Sequence, residues 1–183
     1  MGTSIVRMAL TASDRRLLGS AAVFVASQAN MARVLGSTAP TVGAIQTTFS
    51  ADKYRKILDN LQPEDLQRYR QHYYWDMLHP LTFAVALRAG VRSLAEHHPV
   101  SPGTRRTLAV ASVAAAASDY VENIAGLYLL DHRDRIDDTT VRAVSTISVT
   151  KWTLAFGCFA YLSQGFLRVW TRAGLRRLRG EKG

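Results

Sequence analysis

TLAVASVAAAASDYVENIAGLYLL, residues 107–130, decides how this chain is read. Its first half is small and apolar, and so is its end. Between them AASDYVENIAG, residues 116–126, sets Asp119, Glu122 and Asn123 on consecutive turns. The stretch is long enough to cross a bilayer as a helix, for which about 20 residues suffice. Spacings of i,i+3 and i,i+4 place the three polar groups on one helix face. A charge at the centre of a spanning helix costs about 2.5–3.5 kcal/mol on insertion scales, so that face must turn to a bundle interior, where partners or water meet it.

Three more stretches resemble it: LLGSAAVFVASQANMARVLG (17–36), WDMLHPLTFAVALRAGVRSL (75–94) and ISVTKWTLAFGCFAYLSQGFLRVW (147–170). Together they predict an all-α fold, a four-helix transmembrane bundle forming a single integral membrane domain over residues 1–183. The connection at 37–74 predicts a short outer helical segment. Ser50 suits a helix N-cap before ADKYRKILDNL, and Pro63, Glu64 and Asp65 suit the first turn of a helix running into the second span. The connection at 95–106 holds two prolines and a glycine and reads as a turn, with His97 and His98 solvated. The connection at 131–146 is dense in charge.

The net charge is +9, from 23 Lys+Arg against 14 Asp+Glu. The basic tail at 171–183 follows an apolar segment, where an electrostatic anchor to lipid headgroups would sit. No nucleic-acid module or interleaved aromatic pattern accompanies the arginines, so nucleic acid is not an expected partner. Four spans put both termini on one side. That side receives Arg7, Arg15, Arg16, Arg88, Arg92, Arg105, Arg106 and the tail, more basic residues than the other side. Positive-inside then predicts a multi-pass protein of the cell membrane with both termini cytoplasmic. Tyr73, Tyr74, Trp75, Tyr128, Trp152 and Trp170 fall at the span ends, as interfacial belts would. The single cysteine, Cys158, lies in an apolar run and reads as a packing residue.

By depth, the polar residues of all four spans converge on one level. Span one brings Ser27, Gln28, Asn30 and Arg33. Span two brings Asp76 and His79, with Pro80 marking a kink. Span three brings Asp119, Glu122 and Asn123, with Gly126 leaving room beside them, and span four brings Thr150 and Lys151. Lys151, His79 and Arg33 are the available positive partners. Three readings stay open. The first is a buried ion-pair network that fixes helix register. The second is a site for a lipidic or isoprenoid-like small molecule, with Asp119 and Glu122 as catalytic acid and base of an isomerase or cyclase. In that reading Asp76, His79, Asn123, Lys151, Asn30 and Tyr120 bind the ligand, and one carboxyl keeps its proton because like charges share the site. The third is a metal site on Asp76-x-x-His79 and Asp119-x-x-Glu122, which has too few ligands and a lysine beside it. Metal and cofactor are therefore not expected, and nucleotide and hydrolase motifs are absent. The rival to the enzyme is a non-catalytic carrier, ion pathway or assembly subunit. A lone four-helix unit is small for a transporter, so that reading implies a homo-oligomer.

The layout resembles the EXPERA group, which includes emopamil-binding protein (a sterol isomerase) and the sigma-2 receptor. The similarity rests on four spans, a helical first outer connection, a basic tail, Asp76 before Pro80 in WDMLHPLTF, and the acidic pair Asp119 and Glu122. It implies a ligand cavity containing buried carboxylates, and it assigns no catalytic role to any residue.

Overall fold

The computed structural model describes residues 10–179. Arg7, Lys182 and the last residues of the tail lie outside that range. Within it the chain is helical, with no strand among the described residues. The elements are α1 (Ala12–Leu35), α2 (Ala39–Gln46), α3 (Ala51–Asp59), α4 (Pro63–Asp76), α5 (His79–His97), α6 (Pro102–Asp131) and α7 (Asp138–Leu178), with 3-10 turns at Gly36–Thr38 and Arg133–Arg135.

The helix boundaries follow from local chemistry. Thr11 and Asp14 form a capping box at the start of α1, each side chain accepting from the other's backbone amide at 3.1 and 3.0 Å. Gly36 ends α1 with φ +52°, a conformation that costs a side-chain-bearing residue free energy. Ser50 caps α3 through the Lys53 amide, and Pro63 opens α4 with Glu64 and Asp65 behind it. Ser101 caps α6 through the Thr104 amide at 3.1 Å, and Asp137 accepts the Thr140 amide at 2.8 Å at the start of α7.

Two antiparallel pairs make the frame. The start of α1 meets the end of α5, where Asp14 accepts from Ser93 at 2.6 Å and lies 2.9 Å from His97 Nε2. The other half of α1 meets the start of α5 through Ser27 and His79, 2.9 Å apart. His97, expected to be solvated, is therefore a hydrogen-bond partner of Asp14 at the base of α1. Helices α6 and α7 form the second pair. Buried positions recur at 108, 112, 115, 119, 122, 126, 129 on α6, with 116, 123 and 130 buried beside them, and at 141, 145, 148, 151, 155, 158, 162, 165 on α7. This 3–4 alternation is the repeat of a left-handed two-helix seam. It is lined by small residues such as Ser112, Ala115, Ser145, Ser148 and Cys158, which bring the backbones close.

The core has two apolar parts with a polar layer between them. One is aromatic-rich, with Tyr54, Leu58, Tyr69, Tyr73, Leu129, Ile136 and Val141. The other holds Phe83, Leu87, Val91, Leu94, Leu108, Ala115, Ala155, Cys158 and Leu162. Along α6 the order is Leu108 to Ala116, then Asp119, Glu122 and Asn123, then Leu129. Along α7 it is Val141, then Lys151, then Ala155 to Leu162. From α4 into α5 it is Tyr73, then Asp76, then Phe83. Three helical columns thus deliver their polar residues to one level.

The transmembrane bundle expected from the sequence is overturned: no helix among the described residues is long and apolar enough to cross a membrane. Length is not what fails, since α6 has 30 residues and α7 has 41. Apolarity fails, because the seam interrupts each run with Ser112, Asp119, Glu122 and Asn123 on α6 and with Ser145, Ser148 and Lys151 on α7. The multi-pass placement in the cell membrane, with its cytoplasmic termini, falls with the spans on which it stood. The second expected span is also not one helix: it breaks at Met77–Leu78, between α4 and α5. Pro80 lies in the first turn of α5, where its missing N–H costs nothing, rather than at a kink inside a helix. Much of the tail is helix, since α7 runs on to Leu178.

Candidate functional site

The break between α4 and α5 creates a need that α6 meets. In a continuous helix the Asp76 carbonyl would accept from the amide four residues on, and that residue is Pro80, which has none. Asn123 Nδ2 donates to the Asp76 carbonyl instead, at 3.1 Å, and Asn123 is completely buried. The break is thereby pinned to the middle of α6.

Beside it lies a buried ionic group. Lys151 Nζ donates to Asp119 Oδ1 at 2.8 Å and sits 2.9 Å from Glu122 Oε2, with all three side chains about 5% exposed or less. The Glu122 contact is ionic rather than a directed hydrogen bond. Gln46 of α2 donates to Glu122 Oε1, and its own carbonyl accepts from Trp152 Nε1 at 2.9 Å. Burial opposes the charge on Lys151, but the two carboxylates outweigh it and hold its pKa above the ordinary value.

Beside Lys151 a cavity of about 400 Å³ opens between α1, α2, α4, α5, α6 and α7. Most of its wall is apolar, with Phe24, Met31, Leu35, Phe83, Phe156 and Phe159 among the lining side chains. Its polar residues are Gln28, Gln46, His72, Asp76, His79, Asp119, Lys151 and the indole of Trp152. Aromatic rings gather around His79, with centroids at 5.5 Å from Phe24 and 5.9 Å from Phe83.

Asp76 is the carboxyl of this layer that no cation holds. Lys151 engages Asp119 and Glu122, and one amine cannot neutralise three carboxylates. Burial, followed by the charge of Asp119, pushes the Asp76 carboxyl up to about 7. Burial also pushes Asp119 up, against the pull of Lys151. His72 moves the other way: burial lowers its imidazole to about 4, so it is neutral near pH 7. Its Nδ1 meets the Tyr69 carbonyl, which can only accept, so Nδ1 carries the proton and Nε2 is a free acceptor. His79, also lowered by burial, is held by Ser27.

The cavity therefore collects only part of the expected set. Asp76, His79, Asp119 and Lys151 border it. Glu122 lies behind Lys151, away from the wall, and Asn123 supports the helix break. Asn30 faces outward and accepts from Arg33 at 3.0 Å, so neither residue belongs to the layer. Tyr120 is half-buried and does not line the cavity. The room beside Gly126 is filled by Tyr73: a Cβ there would stand 2.3 Å from the Tyr73 hydroxyl oxygen. Among the described residues no group of three or more metal-ligating side chains could hold a metal ion. His72 and Gln46 are site residues the sequence reading missed, because both lie in the stretch taken as an outer connection. The available signal was spacing: His72 stands i,i+4 from Asp76 on one helix.

No family model matches the chain, and comparison with curated proteins and with solved structures finds nothing significantly similar to it.

Proposed function

We propose that the cavity binds a small, mostly apolar molecule of lipidic or isoprenoid-like character, and that Asp76 and His72 shift a proton on it. The observation that carries this reading is the pairing of an apolar cavity with one carboxyl left without a cation and poised to about 7. A carboxyl near neutrality can both give and take a proton at working pH, which is what general acid–base catalysis needs. In an allylic isomerisation the Asp76 carboxyl protonates one alkene carbon. That leaves the cation on the second alkene carbon. The neutral Nε2 of His72 then takes a proton from the carbon on the far side of the cation, and that C–H electron pair becomes the double bond, displaced by one position. The phenylalanine rings of the wall face the cationic stage with π-electrons.

Asp119 and Glu122, expected to be the acid and base, suit another role better. Glu122 is spent on Lys151 and Gln46, so the triad ties α2, α6 and α7 together in a fixed register. The second reading, a non-catalytic carrier that only holds the apolar molecule, draws on the same cavity.

One experiment separates the two. The purified protein is incubated with a C15 isoprenoid alcohol in deuterium oxide. Binding is followed by calorimetry and carbon-bound deuterium by mass spectrometry. Binding with deuterium uptake that Asp76→Asn abolishes is the expected result. Binding without uptake leaves the carrier. Absence of binding, or binding that is unchanged when the cavity is blocked by Ala155→Phe, overturns the ligand reading itself.

A further inference from the structure

At the end of the molecule where α1 begins, α5 ends and α6 begins, two surface hollows adjoin. The first is bordered by Arg16, Arg88 and Arg92, and the second by Arg88, Arg92, Arg105 and Arg106. All five arginines are exposed, and Val85, Ala89, Val91 and Ala109 supply an apolar floor. No residue lines both these hollows and the cavity beside Asp76, so the two sites are separate.

The sequence here works against its own helices. Arg88 and Arg92 stand i,i+4 on α5, where like charges repel. Arg16, Arg105 and Arg106 lie near the starts of α1 and α6, where the helix dipoles offer cations no help. None of the five forms an ion pair with a carboxylate among the described residues. Glu96, one turn on from Arg92, accepts from Ser13, and Asp14 is taken up by Ser93 and His97. Five exposed arginines gathered at one place, none of them in an ion pair among the described residues and with Glu96 as the nearby carboxylate, leave a local excess of positive charge that suits an anion from outside. Two hollows sharing two guanidinium forks suit an anion with several oxygens spread over two centres, and an apolar floor strengthens each contact.

We infer that this end of the molecule is a binding site for a phosphoryl anion, a diphosphate or phosphomonoester, held between Arg88 and Arg92 and flanked by Arg16, Arg105 and Arg106. The group can come from a soluble diphosphate or from a lipid headgroup, and the chemistry of capture is the same.

The test uses the full chain at low ionic strength with two probes: inorganic pyrophosphate by titration calorimetry, and phosphatidylcholine vesicles with and without phosphatidic acid by co-sedimentation. Two double variants are compared, Arg88→Gln/Arg92→Gln and, as a charge-matched control in the tail, Arg172→Gln/Arg176→Gln. The expected result is binding weakened about tenfold or more by the first pair and left unchanged by the second. Pyrophosphate binding marks the soluble source, and binding confined to phosphatidic acid vesicles marks the headgroup. If neither probe binds, the site does not exist, and if both variants weaken binding alike, only net charge is at work and the site again does not exist. Exposed arginines are replaced by exposed glutamines, so circular dichroism should show both variants folded.

Discussion

Asp119 and Asp76 are both buried aspartates in one layer, yet their surroundings differ in a way that separates support from chemistry. Asp119 also borders the cavity, but it accepts from Lys151, next to Glu122 and Gln46, and that cation opposes the burial that pushes its carboxyl up to about 6. Asp76 lies against the same largely apolar cavity, with its carboxyl pushed up to about 7 and His72 one turn before it. A buried carboxylate that is paired still carries its desolvation cost but is held in place by its cation, whereas one with no cation keeps its proton to near neutrality. The paired group sets the geometry within which Asp76 can work.

The largest expected effect tests the paired group. Lys151→Met leaves Asp119 and Glu122 buried without their cation, and unfolding in urea should show a loss of about 3–5 kcal/mol. A loss below about 1 kcal/mol would mean that Lys151 is not their partner in solution.

The next tests Asp76 by pH. In the folded chain Asp76 keeps its proton up to about pH 7, and in the unfolded chain it releases it near the ordinary 3.8. Between these values the folded state binds more protons, so Asp76 makes stability fall as pH rises, and above about 7 the penalty is constant. Asp76→Asn removes that contribution. The variant should gain on the native protein through this window by at most about 1.4 kcal/mol per pH unit and run parallel to it above. Taking the difference between the two proteins cancels His72, whose lowered pKa gives a slope of opposite sign below its ordinary 6.5. A difference that stays flat from pH 4 to 7 would place Asp76 among ordinary carboxylates.

Smaller effects probe what joins the two. Asn123→Ala strips the Asp76 carbonyl of its donor at the helix break and should cost about 1–3 kcal/mol in thermal or chemical unfolding. Gly126→Ala should cost about 1–3 kcal/mol, because its Cβ overlaps the ring of Tyr73, which is fixed by a 2.7 Å hydrogen bond to Tyr69. At the bottom of the scale, Asn30→Ala should change stability by less than about 0.5 kcal/mol and leave ligand binding untouched. A large effect there would extend the polar layer into α1.

How much of this was legible in the sequence depends on which force decided each element. Caps and first turns at Ser50 and Pro63 are local and were legible. So was the shared face of Asp119, Glu122 and Asn123, fixed by helical spacing alone. The transmembrane reading failed because apolar residues were counted without regard to face. Val110, Val113, Val121 and Ile124 turn outward on α6 while Ser112, Asp119 and Asn123 occupy the seam. The heptad repeat of α6 and α7 carried that distinction but is written in small and polar residues, so it does not stand out as a leucine stripe would. The four spans on which the EXPERA resemblance rested do not stand. The division of labour between Asp76 and Asp119 depends on where one lysine points, and no spacing rule reaches that.

The most direct measurement is the titration of the Asp76 carboxyl carbon by NMR in protein labelled at aspartate, assigned by its absence in Asp76→Asn, with and without a C15 isoprenoid alcohol. The expected result is a midpoint near 7 that moves when the apolar molecule occupies the cavity. A midpoint near the ordinary 3.8, indifferent to the molecule, would contradict both the poised carboxyl and the function built on it.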